Sequence, residues 1–212
     1  IERAIQWLVR NQNADGGFGD SPESLSNIST SLLAYSALHV TKNEGQVSSS
    51  TIEALSMYLK QAGIDVQSPE MAQHVLEFYQ KDFTFSVPIL TTCALCGIPE
   101  SDAFDRIPQL PFELALMPRK VYRLLNLNVV SYAIPALVAV GIVIFKHKKS
   151  GRFMKFLRRR SVPKAMALLE RILPESGGFL EAIPLTAFVV MSLVKSGFCD
   201  HVVVRKGLDF LQ

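Results

Sequence analysis

The residues best suited to chemistry in this sequence are the pair Cys93 and Cys96, spaced as Cys-x-x-Cys, and the later run Cys199-Asp200-His201. Thiolate, carboxylate and imidazole groups are the ligands that zinc prefers, so these residues raise the question of a metal site. The Cys93–Cys96 pair lies in an apolar segment with helical spacing, and free cysteine is among the most commonly buried residue types. The sequence therefore predicts core packing for the pair, with neither a metal nor another cofactor.

A second candidate is the loop from Asp15 to Asp20, which reads Asp-Gly-Gly-Phe-Gly-Asp. It has too few carboxylates for an EF-hand, and it lacks the Lys-Ser/Thr pair of a phosphate-binding loop. The four histidines show no pattern that pairs them with a serine or cysteine nucleophile. No catalytic residue is therefore assigned within this chain.

Helical periodicity dominates the elements that carry these residues. Ile52, Leu55 and Leu59, for example, fall at i, i+3 and i+7, while the alternation typical of strands is nearly absent. Clusters of Gly, Pro and Ser separate the periodic segments. The pattern predicts roughly eight to eleven helices joined by short turns, and hence a single all-α domain over residues 1–212.

The composition is that of a folded protein. Hydrophobic residues make up 49% of the 212 residues and charged residues 19%, which is too apolar for a disordered chain. Three cysteines are an odd number and do not make a disulfide framework, which favours a reducing compartment. The chain opens and stops inside amphipathic segments, so we expect it to be a piece of a longer protein.

The charge is distributed unevenly. From Leu114 to Leu169 the sequence has 12 Lys or Arg and no Asp or Glu, although the net charge of the whole chain is only +3. A basic block beside an apolar run indicates contact with an anionic membrane surface. Nucleic acid is the rival partner, but no helix-turn-helix pattern, aromatic platform or zinc-finger spacing supports it, and none is expected.

The apolar run is Val129 to Phe145, seventeen residues without a charge. As a helix it would be about 26 Å long, whereas a membrane span needs about 20 residues. Pro135 would disturb a span, and basic residues flank the run on both sides. A core helix buried in protein and a span are both open alternatives, but the pattern favours shallow insertion into one membrane face.

The membrane contacts that this interpretation predicts fall into two groups. The lipid contacts are Val129, Val130, Tyr132, Ile134, Leu137, Val138, Ile142 and Phe145. The headgroup contacts are the flanking cations Arg119, Lys120, Arg123, Lys146, Lys148, Lys149, Arg158, Arg159 and Arg160. The predicted location is peripheral or monotopic, on the cytoplasmic face of a membrane.

A weak internal repeat also runs through the chain, built from a small residue, an aromatic-Leu pair and, in two copies, a Gly turn with an aromatic residue. The copies are 4–19, the degenerate 53–63, 164–179 and the partial 205–212. The residues assigned structural roles in it are Trp7, Gln12, Gly16, Phe18, Gly178 and Phe179. We expect Gln12 to bond free backbone groups of a neighbouring helix end while Trp7 packs the core. Such repeats predict a solenoid or a closed toroid.

The first copy resembles the QW repeat of the prenyltransferase and squalene-cyclase superfamily. The matching residues are Ala4, Trp7, Leu8, Gln12, Gly16 and Phe18, with Phe in place of the usual second Trp. Leu25–Thr30 is similar to a stretch that follows the first repeat in bacterial squalene-hopene cyclases. Pro111–Leu116, followed by Ser131-Tyr132-Ala133 and an apolar helix, resembles the part that carries their membrane-contacting helix.

This resemblance implies an α/α toroid and a division of labour between two barrel domains. In the family, one domain carries an Asp-x-Asp-Asp motif that protonates a terminal alkene of squalene, and the other is non-catalytic and forms much of the membrane face. This chain has no Asp-x-Asp-Asp and resembles the second domain. Protonating an alkene needs a strong, pre-organised acid, which no cluster here supplies. By family register, Cys96 falls near the constriction of the substrate channel.

The sequence thus favours a membrane-associated domain of a squalene-hopene-cyclase-like enzyme. Its expected partners are an anionic membrane, an isoprenoid such as squalene, and a catalytic cyclase domain in the same or another chain. The alternative is a stand-alone isoprenoid-binding, lipid-binding or scaffold module without catalysis. A third reading is a protein prenyltransferase subunit, which bound zinc would favour.

Overall fold

The computed structural model describes residues 1–41, 47–80, 82–99, 103–116, 134–149 and 151–212. Within these ranges the chain forms helices and no strand, which confirms the all-α prediction. The described residues contain nine α-helices: α1 Glu2–Arg10, α2 Ile28–Thr41, α3 Ser49–Gln61, α4 Met71–Phe78, α5 Phe83–Leu95, α6 Ile134–His147, α7 Arg152–Ile172, α8 Ile183–Lys195 and α9 Val202–Leu211. In the same described ranges, short 3-10 helices span Phe112–Leu116 and Phe179–Glu181.

The chain divides into two compact units, Ile1–Arg106 and Ile107–Gln212. The first unit contains α1 to α5, and the second contains α6 to α9 with both 3-10 helices. A single toroid over residues 1–212 stays a prediction.

Both units combine uncharged or nearly uncharged helices with charged ones. α2 and α5 contain no Asp, Glu, Lys or Arg, and α6 and α8 contain one lysine each, close to their C-terminal ends. α2 packs against α5 in the first unit, and α6 packs against α8 in the second. The charged helices α3, α7 and α9 cover these pairs and keep a polar face in solvent. A helix that is apolar around its whole circumference requires such covering.

The helix α6 is a core element of the second unit. Val138 and Ile142 are fully buried, in a cluster with Phe112, Leu169 and Leu193. The prediction that Val138 and Ile142 contact lipid is therefore wrong. The reason is tertiary: other helices of the same unit cover the apolar face of α6, which leaves these two side chains no exposed surface.

A glycine in α6 permits its close approach to the segment that precedes the first 3-10 helix. A Cβ atom on Gly141 would lie 2.9 Å from the Leu110 carbonyl oxygen and 3.0 Å from the Phe112 Cβ atom. The Gln109 side-chain amide fastens this contact by donating to the carbonyl oxygens of Gly141 and Leu110, each at 2.8 Å. Backbone and side-chain atoms therefore leave no room for a methyl group here.

We predict that Gly141→Ala lowers the free energy of unfolding by about 1–3 kcal/mol, because the added methyl group forces the Gly141–Leu110 contact apart. Urea denaturation measures this loss. The sign of the change in unfolding free energy is diagnostic, since the higher helix propensity of alanine would by itself raise stability by about 1 kcal/mol. Unchanged or increased stability would show that the segment moves away freely.

Both units contain the same tight turn after a charged helix. Gly16 and Gly177 have left-handed φ angles of 84° and 83°, and the following glycines lead into Phe18 and Phe179, which are 3% and 2% exposed. A side chain on Gly16 would strike the Ala54 backbone in α3, and one on Gly177 would strike the Lys206 backbone in α9. Glycine is needed for both the angle and the approach.

A hydroxyl group closes each turn. The Phe18 N–H donates to Ser31 Oγ at 2.9 Å, and the Phe179 N–H donates to Thr186 Oγ1 at 3.0 Å. The first link spans thirteen residues and the second only seven. In the second unit, the short segment between Phe179 and Thr186 contains two consecutive residues with left-handed backbone conformation. They are Leu180 and Glu181, with φ angles of 56° and 53°.

The repeat residues Gln12 and Trp7 have different surroundings. The Gln12 side-chain amide donates to the carbonyl oxygen of Gly16 at 2.9 Å and to that of Thr51, in the first turn of α3, at 3.0 Å. Trp7 does not pack the core as expected, since its side chain is 54% exposed. The first unit buries α1 through Ile5, on a different side of the helix.

Candidate membrane-facing site

The N-terminal half of α7 places aromatic side chains in solvent. Phe153 is 76% exposed, Phe156 is 62% exposed, and Leu157 is also exposed. The two phenylalanines are three residues apart, so they lie side by side on one face of the helix. The opposite face packs the core through Ala165 and Leu169. Two neighbouring phenylalanines thus form an exposed apolar patch on a helix that has a separate buried face.

Cations surround these aromatic side chains. Arg152, Lys155, Arg159 and Arg160 are all exposed, and Lys149 is exposed just before the helix. The Arg160 guanidinium lies over the Phe156 ring, 5.8 Å from its centroid. We call the set Arg152, Phe153, Lys155, Phe156, Leu157, Arg159 and Arg160 the α7 outer face.

The α7 outer face has the composition of an interfacial membrane contact. Lysine and arginine attract anionic headgroups, with about 1 kcal/mol per residue close to the surface. Phenylalanine side chains enter the boundary between headgroups and acyl chains, where their burial adds affinity. The absence of acidic residues from Leu114 to Leu169 in the sequence means that none of this helix's first four turns carries a repelling charge.

An interior ion pair sets the orientation of this half of α7. Arg158 Nε donates to Glu113 Oε1 at 3.1 Å, and each side chain is only 13% exposed. Glu113 stands in the 3-10 helix Phe112–Leu116, which packs against α7. Its second carboxylate oxygen is buried without a hydrogen-bond partner among the described residues. Arg158 thus ties α7 to the core, so it is not a headgroup contact as the sequence predicted.

We predict that Arg158→Met lowers the free energy of unfolding by about 3 kcal/mol, because it leaves the Glu113 carboxylate buried without its cation. Adding Glu113→Gln to that variant should recover part of the loss. Urea denaturation of both variants measures these effects. The matched control is Arg159→Met on the exposed side, which should change stability by at most about 0.5 kcal/mol. Equal losses at the two arginines would contradict the buried role of Arg158.

Two other predicted headgroup contacts are also engaged within the second unit. The Lys146 ammonium donates to the Ser196 carbonyl oxygen just beyond α8, and lies 4.4 Å from the centroid of the Phe198 ring. The Lys148 ammonium donates to the Ile107 carbonyl oxygen at 2.8 Å. These lysines satisfy backbone carbonyl groups, but Lys146 is exposed and Lys148 is half-buried, so their role as headgroup contacts stays a prediction.

The remaining predicted contacts divide between described and undescribed residues. Ile134, Leu137 and Phe145 are partly buried and pack against the core cluster of the second unit. Lys149, Arg159 and Arg160 are exposed. The following predicted contacts lie outside the described residues: Arg119, Lys120, Arg123, Val129, Val130 and Tyr132. Among the helices that the structure describes, none has the length and apolar character to cross a bilayer.

The sequence reasoning missed Phe153 and Phe156. Their signal was available, because aromatic residues at i and i+3 within a run of Lys and Arg are typical of interfacial helices. The uncharged run from Val129 is the stronger apolar signal in the sequence, but its described part forms a core helix.

The three cysteines lie in different environments. Cys93 is buried in α5 and accepts a hydrogen bond from Ser36 Oγ at 3.5 Å. Burial raises the pKa of the Cys93 thiol to about 12, and burial also raises the pKa of Cys96 at the C-terminal cap of α5. Cys199 is exposed. In the described part of the chain, no group of three or more His, Cys, Asp or Glu is arranged to hold a metal ion. A channel role for Cys96 stays a prediction.

We predict that a water-soluble disulfide reagent at pH 8 labels Cys199 rapidly and leaves Cys93 unlabelled until the protein unfolds. A pKa near 12 keeps the Cys93 thiol protonated, and burial excludes the reagent. Mass spectrometry of timed samples locates the label. The variant Cys199→Ser should lose the rapid phase, and rapid labelling of Cys93 would contradict its buried environment.

No family model matches the chain, and no curated protein sequence matches it.

Proposed function

We propose that this chain is a peripheral membrane domain of a squalene-hopene-cyclase-like enzyme, with the helices arranged as an α/α toroid. It docks on an anionic leaflet at the cytoplasmic face and shapes a nonpolar path for an isoprenoid such as squalene. The acid that starts cyclisation belongs to a catalytic domain in the same or another chain, because Asp-x-Asp-Asp is absent from these residues.

The observation that carries the membrane part of this proposal is the α7 outer face. Phe153 and Phe156 are exposed on a helix whose other face is buried, and exposed cations flank both rings. A nucleic-acid surface would need cations to follow a phosphate backbone, with aromatic residues as base-stacking platforms on a groove. A convex helix with phenylalanines between cations is better suited to the plane of a bilayer.

The toroid part is supported by two features that recur in both units. One is the packing of apolar helices against each other with charged helices beside them, which is the pattern expected of an inner and an outer ring. The other is the Gly-Gly-Phe turn, which in each unit packs on the next charged helix. Gln12 acts as a brace between the first turn and α3, a structural role of the kind that the family resemblance implies.

The membrane proposal is tested by flotation of the chain with vesicles of phosphatidylcholine, alone or mixed with phosphatidylserine. We expect binding to the anionic vesicles that weakens as salt is raised, since headgroup attraction is screened. The double variant Phe153→Ser/Phe156→Ser should bind at least about tenfold more weakly, because each partly inserted ring contributes on the order of 1 kcal/mol to binding.

The matched control for this experiment is Phe85→Ser. Phe85 is 58% exposed, close to Phe156 in exposure, but it lies on the uncharged helix α5 of the first unit. Its replacement should leave flotation unchanged. If the folded double variant floats like the parent chain, or if Phe85→Ser has the same effect, the α7 outer face is not the membrane contact.

The alternative is a lipid-binding module that works without a catalytic domain. The absence of Asp-x-Asp-Asp is as consistent with this module as with the proposed cyclase domain. Incubation of the chain with squalene-loaded vesicles distinguishes these cases from a self-sufficient enzyme. We expect no cyclised product from residues 1–212 alone, as followed by gas chromatography. Formation of a cyclic triterpene would contradict the assignment of the acid to another domain.

A further inference from the structure

The N-terminal half of α7, residues 152–160, has little part in the core that the C-terminal half of the same helix builds. None of these residues is buried, and only Met154 and Arg158 are half-buried. The buried residues of the helix begin at Ser161 and continue to Leu169. Helices in proteins gain most of their stability from packing of such a buried face. The N-terminal half therefore depends on its own helical stability far more than the C-terminal half does.

The charges of the N-terminal half work against that stability. Lys155 has Arg152 three residues before it and Arg159 four residues after it, so like charges are neighbours along the helix surface. The positive end of the helix dipole lies here too, and the first turn has neither an acidic residue nor a side-chain cap at Gly151. Among the described residues, no carboxylate forms an ion pair with Arg152, Lys155 or Arg159. Each of these features lowers the stability of the helical form.

Neighbouring sequence offers these cations no compensation. Residues 117–133 contain Arg119, Lys120 and Arg123 and no Asp or Glu. The Glu113 carboxylate is engaged by Arg158 at 3.1 Å. A partner with many negative charges on one surface would compensate several cations at once, and an anionic leaflet is such a partner.

Pro163 separates the two halves of α7. Proline has no backbone N–H, so the Arg159 carbonyl oxygen lacks the helical hydrogen bond that this position would supply. Ser161 Oγ donates to the Leu157 carbonyl oxygen at 3.0 Å, which is also the acceptor position of a helical bond. The helical ladder is thus weakened close to where the buried face begins. Opening of the N-terminal half therefore does not require the C-terminal half to leave the core.

We propose that the N-terminal half of α7 is a membrane-coupled conformational switch, which opens locally in water and is held helical by an anionic leaflet that compensates its cations. The helical form brings Phe153 and Phe156 side by side on one face. The membrane contact is thereby completed only where anionic lipid is present. The switch rests on the proposed function, because it takes the α7 outer face as the membrane contact.

Amide hydrogen exchange of the full chain, followed by mass spectrometry, tests this switch. At low salt without vesicles, amides 155–162 should exchange at least about a hundredfold faster than amides 166–169, because the two halves open with different free energies. Added NaCl should slow amides 155–162 about threefold, since it screens the repulsion among the cations. At low salt, phosphatidylserine-containing vesicles should slow them about tenfold, whereas phosphatidylcholine vesicles should have no effect.

Two variants with the same change of charge locate the cause. Lys155→Glu pairs a carboxylate with Arg159 four residues later and favours the helix dipole, so without vesicles it should slow amides 155–162 about tenfold. It should also remove the slowing by NaCl. The matched control is Lys195→Glu, at an exposed lysine at the end of α8, which should leave the exchange of amides 155–162 unchanged.

The contrary outcomes are distinct. Slow exchange of amides 155–162 at low salt without vesicles would overturn the switch, because it would show that the cations are already compensated within the chain. Equal exchange in Lys155→Glu and the parent chain would overturn it as well. If the parent chain floats with anionic vesicles but its exchange there is unchanged, the switch is wrong and the proposed membrane contact stands. If the chain does not float and only NaCl slows its exchange, the proposed membrane contact is wrong, and the switch with it.

Discussion

Burial of helices that have no polar side is the constraint on which the rest of this structure depends. α2 and α5 carry no charged residue, and α6 and α8 carry one lysine each near an end. Water solvates none of their faces well, so each must be enclosed by other helices. The charged helices α3, α7 and α9 provide that enclosure and present their own polar sides to solvent. The packing of the charged helices on the uncharged ones meets this requirement.

The enclosure is secured by backbone contacts that leave no space for larger residues. Gly141 brings α6 against the segment at Leu110, and Gly16 and Gly177 set the two turns against α3 and α9. Polar side chains then satisfy the backbone groups that such tight contacts leave free. The side chains with this role are those of Gln12, Ser31, Gln109, Lys146, Lys148 and Thr186. Lysines at the end of an apolar helix serve its packing here as well as its solvation.

The helix α7 exposes more large apolar side chains than the other covering helices, α3 and α9. Its buried side holds the core, and Arg158 fastens it to Glu113. Its other side carries Phe153 and Phe156 among exposed cations. Burial alone cannot explain those two rings, and a surface for an anionic bilayer can.

Periodicity, composition and the glycine turns in the sequence were enough to determine the all-α class, the helical repeat and the basic block from Leu114 to Leu169. These are local properties, since they depend on neighbours within a few residues. Only the tertiary structure decided which apolar side chains are covered. Ile142 and Phe156 are both apolar residues beside cations, yet one is fully buried and the other is exposed. Burial is set by distant segments, such as the 3-10 helix at Phe112 that covers α6 and α7, and the sequence around a residue does not carry that information.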